Sequence, residues 1–332
     1  MIPLFLIDIA VFFCIYLIIS LTLNFQQGVS GIYNLGLFLP VIIGAAVVAY
    51  LPGRLAMMIY GLNNCDFIRD NALVLNLLRS HLQGDPFMSI SLLLLTIVFA
   101  MAICAVVGFL LTPLILRLSG TYQAVFLLCL AEALRVIMMQ TDEIAGGVMG
   151  VSIPTLFYWM GPYSYLGLFI FIAITTTCVY MLYGRLVDSP LGILLRAIRE
   201  NEIATECLGK NVPAIKRKVL TLSFSILGLA GVLSALYLGA VVMPGYNRTD
   251  FSFYPWLMMI VGGTGNNLGV ALGTLLVVLW RRGMMFLKYS FYYLPFSVMW
   301  IEPILIAVAL AITLLFRPSG LLPEKPRHIK LD

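Results

Sequence analysis

Nine apolar runs govern what this 332-residue chain can fold into. They fall at about 3–23, 34–52, 88–113, 121–140, 164–184, 218–241, 254–262, 268–287 and 294–316. A helix needs about 20 successive apolar residues to cross a bilayer, and most of these runs approach that length. Inside lipid an unpaired backbone group costs several kcal/mol, so such segments must close their hydrogen bonds internally, as helices. The runs are continuous rather than alternating, which excludes a membrane barrel. Composition agrees: 61% of residues are apolar and 11% charged, against ~25% charged in soluble domains. The sequence therefore predicts an all-α, polytopic transmembrane helical bundle in the cell (plasma or inner) membrane. Soluble enzymes, nucleic-acid readers and secreted disulfide scaffolds are excluded. The net charge of +5 belongs to loops on one side of the bilayer and implies no nucleic-acid partner.

Lysine and arginine counts orient the chain. The stretch 185–218 carries Arg185, Arg196, Arg199, Lys210, Lys216, Arg217 and Lys218, and the tail 317–332 carries Arg317, Lys325, Arg327 and Lys330. The stretch 142–163 carries neither residue type, only Asp142 and Glu143. The first two are predicted to be cytoplasmic and the third external. An even number of crossings must then separate Lys218 from Arg317, so the chain has to break at Gly262-Gly263-Thr264-Gly265-Asn266-Asn267. Nine passes with an external N-terminus follow, at the cost of leaving Arg281, Arg282 and Lys288 near the outer surface. The run from Pro3 lacks a basic start and a small-residue cleavage site, so it reads as a retained helix. No hinge or low-complexity segment divides the chain, and residues 1–332 read as one membrane domain.

The break at 262–267 has an echo. Gly28-Val-Ser-Gly-Ile-Tyr-Asn-Leu-Gly opens the second run much as Gly262 to Gly269 opens the eighth. Paired interrupted helices in two halves of a chain point to a transport pathway, although two ordinary turns would look the same. Asn34, Gly36, Gly263, Gly265 and Asn266 are the candidate pathway residues at these breaks. Glu132 and Arg135 join them, spaced i, i+3 inside an apolar run. A charge in lipid costs several kcal/mol, so the two should pair and face the bundle interior, either as a structural ion pair or along the pathway. Gly265, Gly269 and Gly273 form a small-residue ridge suited to close helix packing.

Catalytic chemistry has no foothold. The chain lacks a Walker-type loop and a His-Glu-x-x-His pattern, and its two histidines, His81 and His328, fall in polar stretches. Cys14, Cys104, Cys129 and Cys178 lie in apolar runs, Cys207 in a cytoplasmic loop and Cys65 alone in an external one, so no disulfide framework or metal spacing arises. No enzyme activity and no cofactor is expected. Asn247-Arg248-Thr249 matches a glycosylation sequon, a pattern frequent by chance.

The segment 189–202 is the most informative. Ser189 suits an N-cap and Pro190 the first helical position. Leu191, Leu194, Leu195 and Ile198 then recur on one stripe, flanked by Arg196 and Arg199, with Gly209 as a stop. Such a short amphipathic helix can lie on lipid or dock in a partner's groove. The mixed Arg199-Glu200-Asn201-Glu202 continuation favours docking, since anionic lipid would select a basic face.

These residues also carry a resemblance. Gly184-Arg-Leu-Val-Asp-Ser-Pro-Leu-Gly192, Arg196-Ala-Ile-Arg-Glu-Asn-Glu202 and Leu208-Gly-Lys-Asn-Val212 resemble the permeases of branched-chain amino acid ABC importers, most closely the LivM-like subunit. Arg117-Leu-Ser-Gly-Thr-Tyr122, Glu132-Ala-Leu-Arg135, Gly228-Leu-Ala-Gly231, Gly262-Gly-Thr-Gly265 with Gly269, and Phe316-Arg-Pro-Ser-Gly-Leu321 agree. The resemblance implies a non-enzymatic subunit forming half a translocation pathway. Its partners would be a second homologous permease, two cytoplasmic ATP-binding subunits and an external solute-binding protein. ATP would be hydrolysed by the partners. The helix from Pro190 would be a coupling helix, its apolar stripe meeting the ATPase and Arg196, Arg199 and Glu200 setting register. Hydrophobic amino acids would suit the apolar pathway, with Asn34 and Asn266 meeting the zwitterion. Related permeases carry urea or short amides, which stays open as a variant. The sequence departs from the family at Tyr33-Asn-Leu-Gly-Leu-Phe38, in the long loop 53–87 and across 281–300, all near the expected pathway or outer face. A stand-alone ion-coupled transporter is the other class considered, with Glu132 and Glu302 as its coupling acids.

Overall fold

A computed structural model describes residues 2–61 and 66–290, and scattered positions between 304 and 324. Cys65, Glu302, His328, most of the run 294–316 and the basic tail after Glu324 lie outside the described residues. Helix α1 (Ile2–Leu23) runs into a π-helical turn at Asn24–Val29. It is followed by α2 (Phe38–Tyr60), α3 (Asn71–Gly84), α4 (Pro86–Ile115), α5 (Gly120–Gln140) and the single turn α6 (Asp142–Ala145). Next come α7 (Ser164–Asp188), α8 (Pro190–Glu200), α9 (Glu202–Cys207), α10 (Val212–Leu238), α11 (Tyr254–Gly262) and α12 (Asn267–Ser290). Two short strands, β1 (Val151–Ser152) and β2 (Ala240–Val241), pair antiparallel with Val151 opposite Val241.

The protein is an all-α polytopic bundle with interrupted helices. Six helical stretches are long and apolar enough to cross a membrane: Phe5–Val29, Phe38–Tyr60, Pro86–Ile115, Gly120–Gln140, Tyr158–Asp188 and Val212–Leu238. The nine-pass expectation is thus not met by nine membrane-long helices among the described residues. The run at 254–262 is α11, only nine residues long and so about 14 Å. Arg281 and Arg282 interrupt the apolar character of α12, and the last run is largely outside the described residues.

Helix α10 is the axis of the bundle: 83% of its apolar stretch is buried, against 22% for α5 and 28% each for α4 and the α7 stretch. Small residues let its neighbours touch its backbone. A Cβ on Gly44 of α2 would overlap the Gly228 carbonyl, and one on Gly231 would overlap the Val41 carbonyl. Gly228 meets Cys104 of α4 in the same way. The ridge expected on α12 has this role too, with Gly269 against Gly262 and Gly273 against Met258, so that α11 and α12 form a tight hairpin.

Tail residues bind the turn end of that hairpin. Leu321 N and Leu322 N donate to the Val261 and Gly262 carbonyls, each at 3.0 Å, supplying donors that the end of α11 lacks. The tail therefore returns to the end of the bundle where α8 lies. At the opposite end, the Tyr237 hydroxyl at the close of α10 donates to Asp8 near the start of α1. Arg282 lies 3.3 Å from the same Asp8 carboxylate, and Arg281 pairs with Asp250 and donates to the Tyr16 hydroxyl at 2.6 Å. The two arginines that ran against the positive-inside trend are thus neutralised by acids of neighbouring segments.

Candidate coupling and pathway site

Helix α8 turns off the end of α7 at a sharp corner. Gly192 makes the corner possible, because a Cβ there would overlap the Val187 carbonyl. Ser189 occupies the N-cap position with extended backbone, but its hydroxyl donates to Leu186 O at 2.7 Å instead of capping α8. The helix ends at Glu200 rather than running to Gly209. Asn201 interrupts it, its side chain accepting from Ala204 N at 3.0 Å and so opening α9.

The apolar stripe of α8 faces its own bundle. Leu195 and Ile198 are buried and Leu191 and Leu194 half-buried, while Pro190, Ile193, Ala197 and Glu200 are exposed. Ile203 and Leu208, just beyond, extend this open surface. Arg196 and Arg199 also turn inward. Arg196 Nε donates to Glu324 Oε1 at 2.8 Å, and Arg199 Nη2 lies 3.0 Å from Glu324 Oε2. Arg199 also donates to the Gly28 carbonyl and pairs with Glu200 at 3.0 Å. Burial works against the Arg199 charge, but Glu200 and Glu324 outweigh it and hold the guanidinium above the usual arginine range.

The two chain breaks meet directly above α8. Asn24 Oδ1 accepts from Gly265 N at 2.8 Å, and Asn24 Nδ2 donates to Asn267 Oδ1 at 2.9 Å. Gly263 and Gly265 adopt φ of 115° and 81°, a region in which a side chain is strained. Asn34 is buried: Nδ2 donates to Gln26 Oε1 at 2.9 Å, and Oδ1 accepts from Gly36 N at 2.7 Å. Gly36 lies against the backbone of Leu127 on α5. Asn266 accepts from Leu268 N at 3.1 Å, starting α12, and donates to Pro323 O at 3.3 Å. A crevice of about 630 Å³ opens beneath the second break, lined by Tyr180, Asp188, Arg196, Asn266 and Glu324.

One to two helical turns along α5 from Leu127, Glu132 and Arg135 form the expected ion pair, with Arg135 Nη2 2.5 Å from Glu132 Oε1. Their side chains are 31% and 19% exposed, and Glu132 Oε2 has no hydrogen-bond partner among the described residues. Near the other end of the bundle a crevice of about 1030 Å³ lies between α2, α4 and α5. It has an apolar floor (Val47, Phe99, Met138) and a charged rim (Arg54, Asp142, Glu143).

Residues 5–316 match the family model described as branched-chain amino acid transport system / permease component. The chain belongs to this family. The permease is 34% identical to a protein of Methanocaldococcus jannaschii described as a probable branched-chain amino acid transport permease protein LivM, over 96% of this chain and 93% of the relative. It is 29% identical to the high-affinity branched-chain amino acid transport system permease protein LivM of Escherichia coli, over 98% of this chain and 72% of the relative. No solved structure matches it. Membership makes the chain a multi-pass transport permease of the LivM-like kind, and not an enzyme.

In this permease the structure gathers Arg196, Arg199, Gly263, Gly265 and Asn266 into one cluster. Asn34 and Gly36 are linked to it through Gln26 and the first break, while Glu132 and Arg135 lie farther along α5. Several residues of the clusters escaped the sequence reading, Asp250 among them. Asn24 and Gln26 sit at the end of an apolar run, where they look like ordinary flanking residues. Asp8 is a lone acid inside the first run, a signal that was there to be used. Glu324 stands between two prolines in a basic tail, and nothing local marks it. Asn247 of the sequon bonds Asp250 through its side chain, Nδ2 donating at 2.8 Å and Oδ1 accepting from the Asp250 amide at 2.9 Å.

Proposed function

We propose that this permease is one half of an ATP-driven importer of branched-chain and other hydrophobic amino acids. A second homologous permease completes the pathway, two cytoplasmic ATP-binding subunits seat beneath α8, and an external solute-binding protein delivers the substrate. The observation that carries this reading is the near end-to-end similarity to LivM proteins, which takes in the spans, both breaks and α8 together. In this reading the exposed face of α8 (Pro190, Ile193, Ala197, Glu200) meets the ATPase. Leu191, Leu194, Leu195 and Ile198 fasten the helix to its own bundle, and Arg196 and Arg199 carry its displacement to the breaks.

Helix α5 is the wall facing the substrate. It is the least buried and least apolar of the six spans, yet it carries an ion pair that lipid would penalise by several kcal/mol. Covering its open face with the second permease and a hydrated pathway removes that penalty. Glu132 then offers a carboxylate oxygen to the substrate ammonium and Arg135 a guanidinium to its carboxylate. Val125, Val136 and Ile137 supply an apolar surface for the side chain, and Asn34, Gly36, Gly263, Gly265 and Asn266 shape the breaks through which it leaves. Reconstituted with its partners in proteoliposomes, the permease should take up leucine only with ATP and the binding protein, with isoleucine and valine competing. Uptake by this chain alone on a proton or sodium gradient would overturn the reading, as would uptake of urea without leucine.

A further inference from the structure

Helix α8 has no direct backbone link to the α11–α12 break, yet the two are bridged by one side chain from the far end of the sequence. Glu324 accepts from Arg196 Nε at 2.8 Å through one carboxylate oxygen and lies 3.0 Å from Arg199 Nη2 through the other. Its carboxyl group rests against the break: a Cβ on Gly265 would lie 2.8 Å from the Glu324 carboxyl carbon. The segment that brings Glu324 there is fixed at three points, by Leu321 N to Val261 O, Leu322 N to Gly262 O and Asn266 Nδ2 to Pro323 O. On the other side, Arg199 holds the Gly28 carbonyl at the first break, and Asn24 ties that break to Gly265.

The geometry points to Glu324 as a positioning residue that transmits displacement of α8 to both chain breaks. The assignment rests on the reading of α8 as the ATPase-contacting helix. The physical argument is one of charge balance. One carboxylate serves two guanidiniums, all three between 19% and 26% exposed. Removing the acid leaves Arg196 without a counter-charge and Arg199 with Glu200 alone, and partly buried unpaired charges are costly. Arg196 then swings to solvent and Arg199 is drawn toward Glu200 on its own helix, so α8 relies mainly on its apolar stripe to hold the bundle. Apolar contact is non-directional, whereas a carboxylate shared by two guanidiniums fixes position. Helix α8 without Glu324 would move under the ATPase and leave the hairpin behind.

The test uses the whole importer in proteoliposomes, reading leucine taken up per ATP hydrolysed. Glu324→Gln should lower that ratio at least about tenfold, the scale of a broken, partly buried ion pair. Reversing all three charges (Arg196→Glu, Arg199→Glu, Glu324→Arg) should recover a large part of it. A merely structural role would not produce that recovery. A second readout needs no partners. In membranes holding this chain alone, with native cysteines replaced, a cysteine introduced by Val187→Cys, buried in the crevice beside Glu324, should be alkylated several-fold faster when Glu324→Gln is added. Faster alkylation together with failure of the unmutated importer to couple uptake to ATP would sink the functional reading and leave the Glu324 tie standing. An unchanged uptake-to-ATP ratio in Glu324→Gln, or unchanged alkylation, overturns the tie. So does a triple reversal that recovers nothing.

Discussion

Single residues decide this structure where there is least room or least solvent. Gly228 lies where α10 meets Cys104 of α4 and, through its carbonyl, Gly44 of α2. Gly228→Val would push Cys104 and α4 away from α10, and overpacking of this kind costs about 1–3 kcal/mol. A lowered melting temperature of the detergent-solubilised protein, with little change for an exposed glycine such as Gly245, checks this. Glu132 and Arg135 make the complementary case for charge. Arg135→Ala leaves Glu132 unpaired on a span and should destabilise the protein by several kcal/mol, while Glu132→Gln with Arg135→Gln removes both charges and should melt close to the parent. If the double variant also loses uptake, the pair handles substrate; if uptake persists, it is an architectural ion pair. The glycine clusters and the i, i+3 pair were legible in the sequence because both rest on local spacing. Asn24, Gln26 and Glu324 were not, because their partners lie at separations of 8 to 243 residues.

At the scale of elements, α8 marks the limit of periodicity. The spacing of Leu191, Leu194, Leu195 and Ile198 fixed which side of the helix is apolar. It could not say what that side touches, and the answer is the protein's own bundle. A stripe built for a partner and one built for the home core read identically, since burial against either removes the same surface from water. The end of the helix was misjudged for a related reason: Asn201 is a plain polar residue in a string of polar residues until its side chain caps α9. Reversal of both arginines (Arg196→Glu with Arg199→Glu) crowds two new carboxylates against Glu324. It should abolish ATP-driven uptake while ligand capture by the binding protein is unchanged. Paired assays of transport and of ligand binding separate the two.

For the whole molecule, the class and the break at 262–267 were legible because lipid permits few solutions to a long apolar run. The number of spans was not. A run of nine apolar residues can be a short buried helix or part of a crossing, and α11 is packed against α12 and held by a returning tail. The uneven burial of the spans has a measurable outcome. Amides of α10, packed on all sides, should exchange with deuterium slowest in hydrogen-exchange measurements on the reconstituted permease, and those of α8 and α9 fastest among the helices. Where α2 and α10 cross, carbonyl rests on α-carbon with no side chain between them. Sliding by a turn would bring bulkier neighbours into the glycine positions, so this crossing behaves as a keel. Gating strokes then fall to the walls hung around it, and a drug or mutation that stiffens the keel would leave the valve free to swing.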